Sequence, residues 1–459
     1  MGRLTESLVR FLCSDALASP PAAAVQTAID GFTDCVAVMV AGRSAPVSRR
    51  LRRVVSARGG PGESRVGLSR ERAPAAGAAL AGTGAAHALD FDDYAYSNHV
   101  SALLVPAILA EADRHGADGA DLVAAYLAGF EVWGTVFKRE PDHLHSKGWH
   151  PTGVFGPLGV AAALARLRRL DPERTRHALG LAAASGGGVM DNFGAEAKPW
   201  QGARAAQAGV ECVELAAAGL TAGPDALDGS GGLLAALSPA GRVDRASAAE
   251  GLGVRWIAAG PSLNLKRHPT VGASQRAIDA AIQLHDEHAP PPGDIARVVA
   301  RVSEKHAAVM RLHRPKTASE ARFSLEFGVA AGLIFGRVGL AELDDAVVGR
   351  PDVQALLRKV ETEVGPDDDP SYPVGAKADS VRVELGDGSV LESEPVRRFL
   401  GHGENPMSEA QLREKFDDCT GGELGEAQGD ALWRALRALP GLESTAALPT
   451  LRYASDDGA

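Results

Sequence analysis

Long alanine-rich stretches, Ala22–Ala24 and Ala161–Ala163 among them, run through this chain from its start to about Leu265. Alanine gives up no side-chain entropy on entering a helix, so such stretches favour closely packed helices. The spacing of larger residues agrees. Leu122, Tyr126, Phe130, Trp133 and Phe137 recur three and four apart and make one apolar stripe. Asp171-Pro172-Glu173 places a capping carboxylate ahead of a proline at the first helical position, which predicts a helix to about Ala184, where Gly186-Gly187-Gly188 breaks it. Another helix is expected from Pro199 to Gly219.

At 459 residues the chain exceeds the size of one core, so at least two domains are expected. The pattern changes after Pro290-Pro291-Pro292. Val298, Ala300 and Val302 alternate with polar residues, as in a strand. Val381, Val383 and Leu385 do so again, then Asp387-Gly388 leads to Val390 and Leu391, a hairpin signal. A helical stretch from Glu320 to Phe335 lies between. The expected fold is mostly α: a large helical domain begun by residues 1–267, a smaller α+β lid domain at 268–397, and C-terminal helices at 398–459 (Ser408–Phe416 and Gln428–Leu439) that complete the first domain. The tail from Ser455 to Ala459 is expected to be disordered.

Several functions are disfavoured. With 48 basic and 58 acidic residues, the net charge of -10 lacks the basic footprint of a nucleic-acid binder. No uninterrupted apolar run looks long enough to span a bilayer. Leu4, Leu8 and Leu12 are separated by charges and read as an amphipathic helix, not a signal peptide. Cys13, Cys35, Cys212 and Cys419 form no CxxC pair, which suggests a reducing cytoplasm and neither zinc nor an iron–sulfur cluster. GxGxxG, GxxxxGK[ST] and HExxH are absent, and Ser185 and Ser262 lack the glycines of a GxSxG elbow. Nucleotide cofactors and serine-hydrolase chemistry are therefore disfavoured, and no cofactor is expected.

Three places put a cationic or protonatable group near an expected helix start: His150 before Pro151, Lys198 before Pro199, and Lys266 ahead of a helical pattern from about Gly272. The positive end of a helix disfavours a cation until an anion joins it. A small di- or tricarboxylate would suit such a site. A second constellation, His87-Ala88-Leu89-Asp90-Phe91-Asp92-Asp93-Tyr94 followed by His99, could hold a divalent metal or form an Asp–His proton-transfer pair. Its spacing matches no standard metal signature, so proton transfer ranks first.

These segments, taken in order, resemble the MmgE/PrpD family of lyases and isomerases. The matching stretches are HALDFDDY…H (87–99), GWHPTGVFGPLGVAAALARL (148–167), ALGLAAASGGGVMDNFGAEAKPWQGARAAQAG (178–209), LKRHP (265–269), EARFSLEFGVAAGLIFGRV (320–338) and YPVGAKADSVRVELGDG (372–388). The resemblance implies a helical domain with an inserted lid, an active site at their junction, a homodimer and no iron–sulfur cluster. Asp90, His99, His150, Lys198 and Lys266 fall on its catalytic positions. Tyr94, Trp200, Gln201, Val271, Arg322 and Phe327 are expected to bind substrate. Val271, Phe327 and Gln201 depart from the His, Tyr and His often found there, and Trp200 and Phe327 should make the pocket more apolar. The expected reaction is proton abstraction beside a carboxylate, with dehydration ahead of epimerisation or decarboxylation. A catalytically inert binding protein is the alternative of another class.

Overall fold

The computed structural model describes residues 3–370 and 375–454. The tail expected to be disordered, and Tyr372 to Val374 of the YPVG stretch, lie outside the described residues. Two hydrophobic cores organise the rest. The larger gathers residues from Leu4 to Leu265 and again from Leu412 to Tyr453. The smaller runs from Ala273 to Val383.

Helices build the larger core. Pro151–Leu167 lies at its centre, packed against both Gly119–Phe137 and Ala197–Ala217. Small residues permit this: a Cβ added at Gly159 would stand 2.3 Å from the Trp133 ring. The single stripe read in Gly119–Phe137 is too narrow a description. Ala124, Ala125, Leu127 and Ala128 are buried as well, so the helix is enclosed almost all round. Its apolar run is interrupted by Asp121 and Glu131, as that of Ala22–Ala41 is by Asp30 and Asp34. Ala22–Ser44 and Gly119–Phe137 are long and apolar enough, by length and composition, to cross a membrane, but 72% and 78% of those windows are buried within the protein. They are core helices here.

The chain's last part returns to this core. Glu409–Thr420 begins with a reciprocal capping box between Ser408 and Gln411 and packs on Ala22–Ala41. From it Lys415 reaches Asp34 at 2.5 Å and the Phe91 carbonyl at 3.0 Å. The C-terminal helix thus props the loop that carries Asp90. The four cysteines are unpaired.

In the smaller unit Ile295–Ser303 is the central strand, parallel to Val360–Gly365 and antiparallel to Ser380–Leu385, which pairs with Val390–Glu392. Val298, Ala300 and Val302 point into the core, as their alternation predicts. Val360–Gly365 went unread because it is an edge strand whose Glu361 and Glu363 face solvent and pair with Arg297 and Arg301. The helix expected across Glu320–Phe335 is broken. Ala318–Ala321 ends, and Ser324 starts Leu325–Phe335 by accepting the Phe327 N–H.

Candidate active site

His150 is the N-cap of Pro151–Leu167, and the proline behind it fixes the first turn. Its backbone N–H donates to the Gly188 carbonyl at 3.0 Å. Gly188 has φ +147°, and a Cβ there would stand 3.2 Å from Gln201 and 3.4 Å from His150. The three-glycine break therefore serves as a seat for His150 and Gln201. Lys198 is the second residue of Ala197–Ala217. The helical pattern expected from about Gly272 is there, as a 3-10 turn Gly272–Ser274 that runs into Gln275–His288, but Lys266 is six residues ahead of it, beside the Tyr94–Asn264 bridge.

Asp90 is the hub. It adopts a left-handed backbone, φ +50°, rare for a residue with a Cβ. Lys266 Nζ donates to both its carbonyl and its Oδ1, at 2.7 Å each. Lys198 Nζ donates to the same Oδ1 at 3.0 Å. Burial would raise the Asp90 pKa, but the two ammonium groups hold it far below the usual carboxylate range.

Lys198 also lies 3.3 Å from His87 Nε2 and 3.3 Å from His99 Nε2. Three ammonium hydrogens thus meet three acceptors. Behind the imidazoles, Asp92 Oδ2 sits 3.0 Å from His87 Nδ1 and 2.8 Å from His99 Nδ1. The Lys198 ammonium donates to both Nε2 atoms, so both imidazoles carry their protons on Nδ1; Asp92 hydrogen-bonds that of His87 and pairs with that of His99 by proximity alone. Burial lowers both pKa values, that of His99 to about 3. The expected Asp90–His99 pair is looser, at 3.6 Å. The partner that sets the His99 tautomer is Lys198, at Nε2.

His150 carries the opposite tautomer. Gln201 Oε1 accepts from Val189 N and Asn192 Nδ2, both at 2.8 Å. Its NH₂ must then face His150 Nδ1, 3.0 Å away, and Val189 O at 3.3 Å. Nδ1 is an acceptor, so the proton is on Nε2, which has no partner among the described residues. Burial first, then Lys198, push the His150 pKa well below its ordinary value. At neutral pH it is an uncharged N–H donor, which narrows the role expected of it: it is not a resting base.

A cavity opens between the two cores. His99, His150, Lys198, Lys266 and Tyr94 line one side; Val271, Ala273, Lys305 and His306 line the other, and His143 and His145 also border it. Phe193 stands edge-on to His150, centroids 5.1 Å apart.

Four expected substrate contacts lie elsewhere, and Gln201 is one of them: it stands behind His150, against Nδ1, and does not line the cavity. Trp200 does not line the cavity and is 43% exposed. It follows Lys198 by two positions, which on a helix turns it away. Phe327 is fully buried in the smaller core, so the absent hydroxyl does not face this cavity. Arg322 borders a different cavity. Sequence reasoning left His87 and Asp92 without roles and missed His143, His145, Phe193, Lys305 and His306. The His143-x-His145 pair ahead of the GWHP segment was the available signal.

His87, Asp90, Asp92 and His99 offer ligand atoms within 4.8 Å of one another, as a metal site would. Their lone pairs are already directed at Lys198 and at imidazole N–H groups, and a dication would face two buried ammonium groups. The donor set fits an ammonium better than a metal.

The MmgE/PrpD N-terminal domain matches residues 6–246, and the MmgE/PrpD C-terminal domain matches residues 268–439. The chain is 31% identical to cis-aconitate decarboxylase of Homo sapiens, over 83% of this chain and 80% of that protein. It is 26% identical to cis-aconitate decarboxylase of Aspergillus terreus, over 80% and 79%. It is 29% identical to 2-methylcitrate dehydratase of Cupriavidus necator, over 29% of each. Two domain matches that together span most of the chain, and a relative above 30% identity along four-fifths of its length, give the same assignment: the chain belongs to the MmgE/PrpD family.

Proposed function

We propose that this chain is a lyase for a small tricarboxylate-like substrate, and that its reaction is decarboxylation. Opposed tautomers carry the acid–base part of this reading. His150 presents an N–H to the cavity, while His99 and His87 present bare nitrogens to Lys198. Environments that separate proton donors from acceptors in this way mark acid–base roles.

The substrate binds with a carboxylate near Lys266 and His150. The C–C bond to a second carboxylate breaks, and CO₂ leaves. The electron pair passes into the remaining unsaturated carboxylate, where Lys266 and the His150 Nε2–H stabilise the developing charge. Lys198 gives a proton to the carbon that lost CO₂. Burial lowers its pKa and so favours the transfer. Lys198 is recharged from solvent through His99 Nε2, so one proton is consumed per turnover.

Dehydration ranked first on sequence. It is now second, because the decarboxylases match along about four-fifths of their length and the dehydratase along 29%. The same groups support it: His99 or neutral Lys198 takes the proton beside the carboxylate, and hydroxide leaves as water.

Incubation with cis-aconitate, 2-methylcitrate and citrate in D₂O, read by mass spectrometry, separates the reactions. CO₂ loss with one deuterium incorporated is expected. Water loss alone would move the assignment to dehydratase. If a substrate is turned over and neither His150→Ala nor Lys198→Ala slows it, the catalytic assignment is wrong. No reaction in any arm would favour the binding-protein alternative.

A further inference from the structure

A second cavity opens on the far side of the Asp90–Lys198 pair. Thr317, Ser319, Arg322 and Phe323 border it from the smaller unit. Lys198 is the one residue bordering both this cavity and the cavity that holds His150.

Arg322 is 9% exposed, and its guanidinium makes no hydrogen bond or ion pair with the described residues. The other charged groups around this cavity are occupied. Asp90 holds Lys198, Glu196 pairs with Arg50, and His87 pairs with Asp92. Asp344 accepts the Ala346 N–H, and Asp345 accepts the Ala318 N–H at 2.7 Å. Guanidinium groups are seldom buried without a partner, because desolvating the charge is costly unless something anionic meets it. Asp90 and Asp345 attract the Arg322 guanidinium through space, without a hydrogen bond and without offsetting its burial; an anion entering from the cavity would meet the fork directly.

We propose that this cavity is a second anion-binding chamber, in which Arg322 grips a carboxylate. The planar guanidinium fork matches the two oxygens of a carboxylate. Asp344 and Asp345 border the same space. Their negative charge favours a singly charged carboxylate group over a phosphate. The carboxylate belongs either to an arm of the substrate or to a separate small acid.

Calorimetric titration of the intact protein with tricarballylate, an unreactive tricarboxylate, tests this without any turnover. Arg322→Gln should weaken binding roughly tenfold to a hundredfold, the size of a lost charge-assisted contact. Arg322→Lys, which keeps the charge but not the fork, should recover part of it. Loss of a second equivalent would identify a separate acid; weakening of a single equivalent would identify a substrate arm. Without ligand, Arg322→Gln should melt no lower than the wild type, because it removes an unpaired buried charge. Unchanged tricarballylate affinity in Arg322→Gln overturns the proposal. So does a lower melting temperature in that variant with equal binding in Arg322→Lys, which would make Arg322 a packing residue. Failure of the proposed reaction would leave these readouts untouched.

Discussion

Gln201→Glu is the sharpest test of the site, because it changes one atom's hydrogen-bonding sense and almost no volume. In the wild type the amide donates to His150 Nδ1 and fixes the proton on Nε2. A carboxylate at that position can only accept. One oxygen would keep the Val189 N and Asn192 Nδ2 donors, and the other would call for a proton on His150 Nδ1. The Nε2–H then survives only while the imidazole is doubly protonated. Loss of one preorganised donor to a developing oxyanion costs about 10²–10³-fold in kcat, or ~2.7–4 kcal/mol. The sign with pH follows. Wild-type His150 is neutral with its Nε2–H in place well below neutrality, because burial lowers its pKa, so it adds no alkaline limb. The adjacent carboxylate raises that pKa in the variant. Activity should then be retained at acid pH and fall about 10²–10³-fold as pH rises through the new His150 pKa. The assay is kcat from pH 5 to 9 on whichever tricarboxylate the D₂O screen identifies, with Gln201→Met as the control that removes the donor without adding charge. A variant with wild-type kcat and an unchanged alkaline side would refute the tautomer assignment.

Other outcomes follow from the same geometry. Asp92→Asn should cost on the order of 10³–10⁴ in kcat, because an amide can donate to Nδ1 and so oppose the tautomer that Lys198 sets; a loss under tenfold would show that Asp92 does not support it. Lys415→Met should destabilise the fold by about 3–5 kcal/mol, since it strands a buried Asp34, and adding Asp34→Asn should restore most of that in urea unfolding. Stability should also decline in acid: His99 and His145 are pushed down to about 3 and His143 to about 4, chiefly by burial, against an ordinary 6.5. The unfolded chain therefore binds protons first, and stability, full above about pH 6.5, falls towards pH 4, even though Asp379, raised to about 6, acts in the opposite direction. An equal or higher unfolding midpoint at pH 4.5 would contradict this.

The sequence made the helical part legible because its helices carry local signals. Asp171 and Pro172 start a helix as read, and it ends at Ala183, one residue before the expected end. The strands at 295–303 and 380–385 were legible through alternation, but the edge strand at 360–365 was not, since an edge that faces water needs no apolar pattern. The site divides the same way. Asp90, His99, His150, Lys198 and Lys266 were named from motif, and the structure draws them into one cluster. Who holds whom was not readable. Asp92 and Asp93 are neighbours of the same type, yet Asp92 turns to two imidazoles while Asp93 turns to the Ser101 N–H, and only the strained loop decides which does which. Lys266 shows the limit of the helix-start argument: its strength as a cation site comes from Asp90, 176 positions away in sequence.

The departures from the family pattern look different once placed. Val271 does border the cavity, so the smaller unit offers no imidazole there. Phe327 does not, so its missing hydroxyl removes nothing from this space. Gln201 is the departure with the largest chemical consequence, because it decides which nitrogen of His150 carries the proton. In the proposed reaction, proton traffic therefore centres on the helical side, in Lys198 and the two imidazoles that share it. The smaller unit contributes Lys305 and His306 to the lining, and Lys305 is itself held by Asp367 at 3.4 Å. A chemistry confined to one wall can tolerate apolar substitution on the other, and that is how a pocket can change its substrate while the grip on a carboxylate stays the same.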